Sequence, residues 1–166
     1  MNTAEALATG SEVMYREARL LDLQRWDDWL AMYEEDCVYW VPAWDGEHRT
    51  TDDPQAEISL IYYASRAGLQ DRVWRIRSGK SIASVPLART THLVGNVELL
   101  HGDDRELELC ASWTVHVYRN KRKEHQMLFG RYEHTLRRGG DGWRIARKKI
   151  ILVNDTISTM VDVYCL

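Results

Sequence analysis

MLFGRYEHTLRRGGDGWRIARKKIILVND, residues 127–155, reads as two strands joined by Gly139, Gly140, Asp141 and Gly142, and the architecture follows from it. Glycines supply the backbone freedom of a tight reversal, while Phe129, Tyr132, Thr135, Trp143, Ile145, Ile150, Ile151 and Val153 carry side chains that strands favour. The second strand changes character along its length. Arg147, Lys148 and Lys149 put charge on both faces, whereas Ile150 to Val153 is apolar on both, so its far end is expected to be covered twice. This hairpin is expected at the centre of a sheet.

A cation so close to a doubly apolar run must point into crowded surroundings, and an unpartnered buried ammonium costs several kcal/mol. A carboxylate or a row of carbonyls is therefore expected beside Lys148 or Lys149. Asp155 and Asp162 are the candidates within the chain, and an acidic patch on a partner is the alternative.

The 166 residues suit a single domain over 1–166, with 1–10 expected as a mobile leader. A formal charge of -3 gives no field that would gather nucleic acid or an anionic membrane. No apolar run approaches the roughly 20 residues of a membrane span. Cys37, Cys110 and Cys165 are odd in number and widely spaced, which suits reduced thiols in a cytoplasmic protein. The 7 Trp and 8 Tyr against 1 Phe lean toward a subunit interface, where amphipathic rings are favoured.

Apolar spacing after Ser11 predicts a helix ending near Asp22 or Leu23, and Trp26, Trp29, Leu30 and Tyr33 predict a second. Cys37 to Val41 reads as a strand stopped by Pro42, followed by a loop with Trp44 and His48. Asp53-Pro54 reads as a helix start, with the helix running through Arg66, and Leu69 to Ile76 as a further helical stretch. Thr91–Leu100 and Glu106–Tyr118 are strands, the second alternating from Leu107 to Val117. The tail from Thr156 has no clear reading. Helices followed by hairpin-connected strands define an α+β fold with helices on one face of a curved, mainly antiparallel sheet.

Chemistry is sparsely signalled. His48, His92, His101, His116, His125 and His134 are scattered without a ligand motif, and a Rieske pattern of paired Cys and His is absent from the sequence. No GxSxG nucleophile motif occurs, the glycines at 139–142 precede no helix, and the basic run Arg119 to Lys123 fits a solvated loop. One catalytic arrangement stands as a rival. Asp36, Tyr39, Tyr62, Tyr63 and His92 around an apolar cavity would serve an acid–base isomerase or dehydratase.

The chain resembles the small, or β, subunit of bacterial aromatic-ring-hydroxylating dioxygenases of the benzoate, anthranilate and halobenzoate group. The likeness runs through Tyr15–Ala18, Leu20–Asp22, Trp26–Tyr33, Tyr39–Pro42 with Trp44, Asp53-Pro54, Glu57–Tyr63, Asp71–Val73, Arg89-Thr90, His92, Asn96, Lys148-Lys149, Asn154-Asp155 and Asp162–Tyr164. The most specific piece is EISLIYY at 57–63. The resemblance implies a cystatin-like cone of the nuclear transport factor 2 type and an α3β3 hexamer. In that assembly the large α subunit holds a Rieske 2Fe–2S cluster and a mononuclear Fe(II), and a reductase or ferredoxin component supplies electrons from NADH. It implies no cofactor and no catalytic residue in this chain. Trp44, Lys148, Lys149, Asp155 and Tyr164 are the expected contacts with the large subunit.

Overall fold

The computed structural model describes residues 1–79, 86–155 and 161–166. Its elements are α1 (Thr3–Asp22), α2 (Trp26–Ala31), β1 (Tyr33–Pro42), a small hairpin of β2 (Trp44–Asp45) and β3 (Arg49–Thr50), and β4 (Ser59–Tyr63). There follow α3 (Arg66–Arg77), β5 (Arg89–Gly102), β6 (Glu106–Arg119), β7 (Glu124–Gly139) and β8 (Gly142–Leu152), with a 3-10 turn at Val163–Cys165.

Six strands form one sheet in the order β4-β1-β8-β7-β6-β5, so the β7–β8 hairpin is central, as its sequence predicts. Neighbours are antiparallel except β1 and β8, which run parallel with Tyr39 opposite Lys148 and Trp40 opposite Lys149. Gly139 pairs with Gly142, and Gly142 takes a φ of 116° that a side chain would resist. The alternation in β6 is borne out: Leu107, Leu109, Ala111, Trp113, Val115 and Val117 are all buried. Ile150, Ile151 and Leu152 are likewise buried, so that end of β8 is covered on both faces, while Val153 is exposed.

The supposed mobile leader is corrected by the helix itself, which begins at Thr3. Asn2 and Glu5 form a reciprocal capping box, with Asn2 Oδ1 accepting from Glu5 N–H at 2.9 Å and Glu5 Oε2 from Asn2 N–H at 3.0 Å. Ala6 and Gly10 are then buried against the sheet, and a Cβ on Gly10 would lie 2.3 Å from Leu109 Cδ2. That close approach lays α1 against β5 and β6.

The helix expected over Asp53–Arg66 is not formed. Its start is real: Asp53 Oδ1 accepts from Gln55 N–H at 2.8 Å, and Glu57 N–H donates to Asp53 O at 2.8 Å. The chain turns once and then extends, because Ile61, Tyr62 and Tyr63 pair with Val41, Trp40 and Tyr39 of β1. Gly68, which falls between the two helical stretches expected from the sequence, sits inside α3, where a Cβ would lie 2.4 Å from the Tyr63 ring. The second helix is also shorter than predicted, since Tyr33 already belongs to β1.

Half of the aromatic residues serve the interior. Trp26, Trp29, Trp40, Trp113, Tyr33, Tyr39, Tyr132 and Tyr164 are buried, which weakens the compositional case for an aromatic interface. Cys37 and Cys165 are buried and Cys110 is half-buried, all three as free thiols. Of the unassigned tail, 156–160 lies outside the described residues; Val163–Cys165 packs in the core, with Asp162 accepting from Val163 N–H at 2.7 Å.

Candidate functional site

Glu17 lies on the buried stripe of α1, among Met14, Leu20 and Leu21, and reaches across the interior to the sheet. Its Oε1 accepts from Lys148 Nζ of β8 at 2.8 Å and from the Tyr33 hydroxyl of β1, and its Oε2 is 3.2 Å from His134 Nε2 of β7. One carboxylate thus ties the first helix to three strands. Lys148 is 1% exposed, with Glu17 and His134 at 2%. The ammonium also stands 4.3 Å from the centroid of the Tyr132 ring, whose π face adds to its stabilisation.

Lys148 therefore has the carboxylate that its burial requires, but the partner is Glu17 and neither Asp155 nor Asp162. Asp162 is engaged elsewhere, accepting from Arg72 Nε at 2.7 Å, and Asp155 is exposed. Lys149 points to the opposite face, 3.7 Å from Glu133 and 5.0 Å from the Trp40 ring centroid. Of the other expected contacts, Tyr164 is buried in this chain, and Trp44 donates its indole N–H to Leu152 O at 2.7 Å.

Electrostatics in the cluster follow from burial and pairing. Burial alone would raise the Glu17 carboxyl, but Lys148 and the bond from His134 outweigh it and hold the carboxyl below the ordinary range. Burial pulls Lys148 below the ordinary lysine value, with Glu17 opposing. His134 is pushed below 6.5 by burial, against Glu17, so it is neutral at neutral pH and donates through Nε2. Its Nδ1 has no partner among the described residues.

These directions share one sign. A histidine depressed in the fold takes up its proton more readily in the unfolded chain, so stability falls as pH drops below its ordinary 6.5. A carboxylate depressed in the fold stabilises above its ordinary 4.5, and that contribution is lost as pH falls further toward its folded value. Thermal unfolding is expected to show a melting temperature that declines below about pH 6.5 and more steeply below about pH 4.5. The first step should be absent in His134→Gln, and a decline of the same shape in that variant would refute the assignment.

Of the rival acid–base arrangement only Tyr39 and Tyr63 are brought together; Asp36, Tyr62 and His92 are not. Asp36 is exposed and pairs with Arg137 at 3.2 Å, Tyr62 accepts from Gln55 Nε2 at 3.0 Å, and Tyr39 and Tyr63 are cross-strand neighbours with centroids 6.3 Å apart. His92 sits at the far edge on β5, its Nδ1 2.6 Å from Asp22 Oδ1, beside a surface cleft of about 880 Å³ between α1 and β5. Glu17, His134 and Lys148 are the acid–base set inside the cone, and they are spent on one another. The signal that could have found them is a glutamate on an apolar helical stripe.

No three His, Cys, Asp or Glu side chains converge as a metal site among the described residues, so the ligands of a Rieske centre do not fit this chain. No helix among those residues is long and apolar enough to cross a membrane.

Helices capping one face of a curved sheet define a cystatin-like cone. A solved nuclear transport factor 2-like protein with a cystatin-like fold from Novosphingobium aromaticivorans shares it, with TM-score 0.62 over 92% of this chain and 85% of that one at 14% identity. Residues 16–159 match the family described as ring hydroxylating beta subunit, and the chain belongs to that family. It is 45% identical over 151 residues to the 2-halobenzoate 1,2-dioxygenase small subunit of Burkholderia cepacia, covering 91% of this chain and 90% of that protein. The solved beta subunit of the benzoate 1,2-dioxygenase from Burkholderia mallei has TM-score 0.80 and 37% identity, with 96% of each chain covered. Such relatives are small subunits of multi-subunit oxygenases, which implies a large-subunit partner and disfavours a stand-alone isomerase or dehydratase.

Proposed function

We propose that this chain is a one-domain, non-catalytic structural β subunit of a cytoplasmic terminal oxygenase that hydroxylates a carboxylated aromatic ring. The observation that carries the reading is the family match over residues 16–159, joined to an interior whose titratable groups are committed to one another. The two relatives named for 2-halobenzoate and benzoate both point to a ring bearing a carboxylate. The large subunit holds the Rieske cluster and the mononuclear iron, three copies of each subunit assemble, and a reductase delivers electrons from NADH. Lys149, Asp155 and the Trp44 hairpin, at the outer face and rim of the sheet, are the contacts proposed for the large subunit.

Co-expression with the large subunit, followed by native mass spectrometry and turnover assays, tests this. An α3β3 mass and oxygen-dependent turnover of benzoate and 2-halobenzoate above that of benzene are expected. Failure to associate, or turnover by this chain alone, would overturn the reading. Purified by itself, the chain is expected to carry iron only at background, and elemental analysis giving about one iron per chain would contradict that.

A further inference from the structure

His116 and His125 stand nine residues apart on the β6–β7 hairpin, and the register of its ladder sets them diagonally on the outer face of the sheet. His116 Nδ1 and His125 Nε2 are 2.9 Å apart. The ring planes are within 6° of parallel, with centroids separated by 5.2 Å. Planes holding atoms 2.9 Å apart are too close for overlapping π faces, so the rings meet edge to edge and the two nitrogens face each other. Met127 lies directly opposite His116 in the same ladder, which places its thioether on the same face as both imidazoles. The pairing from Glu106 to Arg119 is unbroken and β6 is flanked on both sides, so the backbone beneath is fixed.

We propose that His116 Nδ1 and His125 Nε2, with the Met127 sulfur as third donor, form a surface site for a cuprous ion. The ion enters where the hydrogen bond now lies. A metal–imidazole bond of about 2.0 Å on each side asks the nitrogens to part by roughly an ångström, a small rotation for side chains at the surface. The donor imidazole moves its proton to its outward nitrogen, so both rings stay neutral and both inner lone pairs reach the metal.

The donor set selects the ion. Zinc takes four ligands, and no further His, Cys, Asp or Glu among the described residues completes a set of three. Two imidazoles and a thioether suit a soft ion content with low coordination. The adjoining turn carries Lys121, Arg122 and Lys123, and the donors are uncharged, so a single positive charge is repelled less than a double one. The sequence separation hid the site, because the histidines converge only through the strand register.

The full chain carrying Cys110→Ser, which removes the one thiol that is not buried, is titrated anaerobically with Cu(I) against bicinchoninate. About one ion per chain is expected, with nitrogen and sulfur neighbours by X-ray absorption. His116→Gln and His125→Gln should each weaken binding by at least the roughly tenfold that even an outer-sphere partner is worth, and Met127→Leu should weaken it measurably. His101→Gln, an exposed histidine outside the pair, should change nothing. The proposal is overturned if the parent captures no copper, if the two histidine variants bind like the parent, or if Zn(II) binds equally well and Met127→Leu has no effect. Circular dichroism should show each variant folded, as substitution on the outer face predicts.

Discussion

Glu17→Ala is expected to destabilise the chain by about 3–5 kcal/mol, since it strands the Lys148 ammonium in the interior and removes the acceptor of Tyr33 and His134. For a domain of this length that is a fall in melting temperature of roughly 6–20 °C. The paired variant separates the charge from the contact. Glu17→Leu with Lys148→Met removes both ions while keeping apolar volume, and such replacements of buried pairs are often close to neutral. What it cannot restore is the acceptor for the Tyr33 hydroxyl and His134 Nε2, an expected residual loss of about 1–3 kcal/mol. Urea unfolding of Glu17→Leu, Lys148→Met and their combination should therefore find the double more stable than either single variant. Losses that simply add would show that Glu17 and Lys148 are not coupled.

The hairpin, the alternating β6 and the end of α1 were legible because each rests on a period that neighbouring residues enforce. Segment 53–66 misled for a physical reason: Asp53 and Glu57 build a genuine helical turn, and Ile58, Ile61 and Tyr62 mimic a helical stripe. Only pairing with Tyr39 and Trp40, some twenty residues earlier, makes the run a strand. Local pattern does not contain that information. Lys148 was half legible. Its burial follows from the apolar run beside it, but its partner lies 131 residues away on α1, beyond any local reading. The same limit hid Tyr164, whose burial depends on how the tail returns to the core, and the meeting of His116 with His125 across a turn.

Gly130→Ala is expected to cost about 3 kcal/mol or more, although it adds only one methyl group. Gly130 faces Trp113 on one side and Leu152 on the other, in the strand pair at the centre of the sheet. A Cβ there would fall 1.8 Å from the carbonyl oxygen of Ile151 and 3.2 Å from Trp113 Nε1. The first obstacle is backbone and cannot rotate away. Moving it means parting β7 from β8 where Val153 N–H bonds Phe129 O at 2.9 Å, and the stacked Trp113 and Tyr132 rings, 5.1 Å apart, hold the other side. A glycine within a strand marks this kind of close approach. Gly140→Ala is the control, since no atom lies within 4 Å of its would-be Cβ and its backbone is not left-handed; it should shift stability by no more than about 0.5 kcal/mol. Urea midpoints separate the two variants, and equal midpoints would mean that the sheet yields at Gly130. If the chain acts as scaffold, Gly130→Ala should also reduce the yield of assembled oxygenase while leaving turnover per bound iron unchanged, because the damage lies in the fold of a subunit that does not touch the reacting atoms.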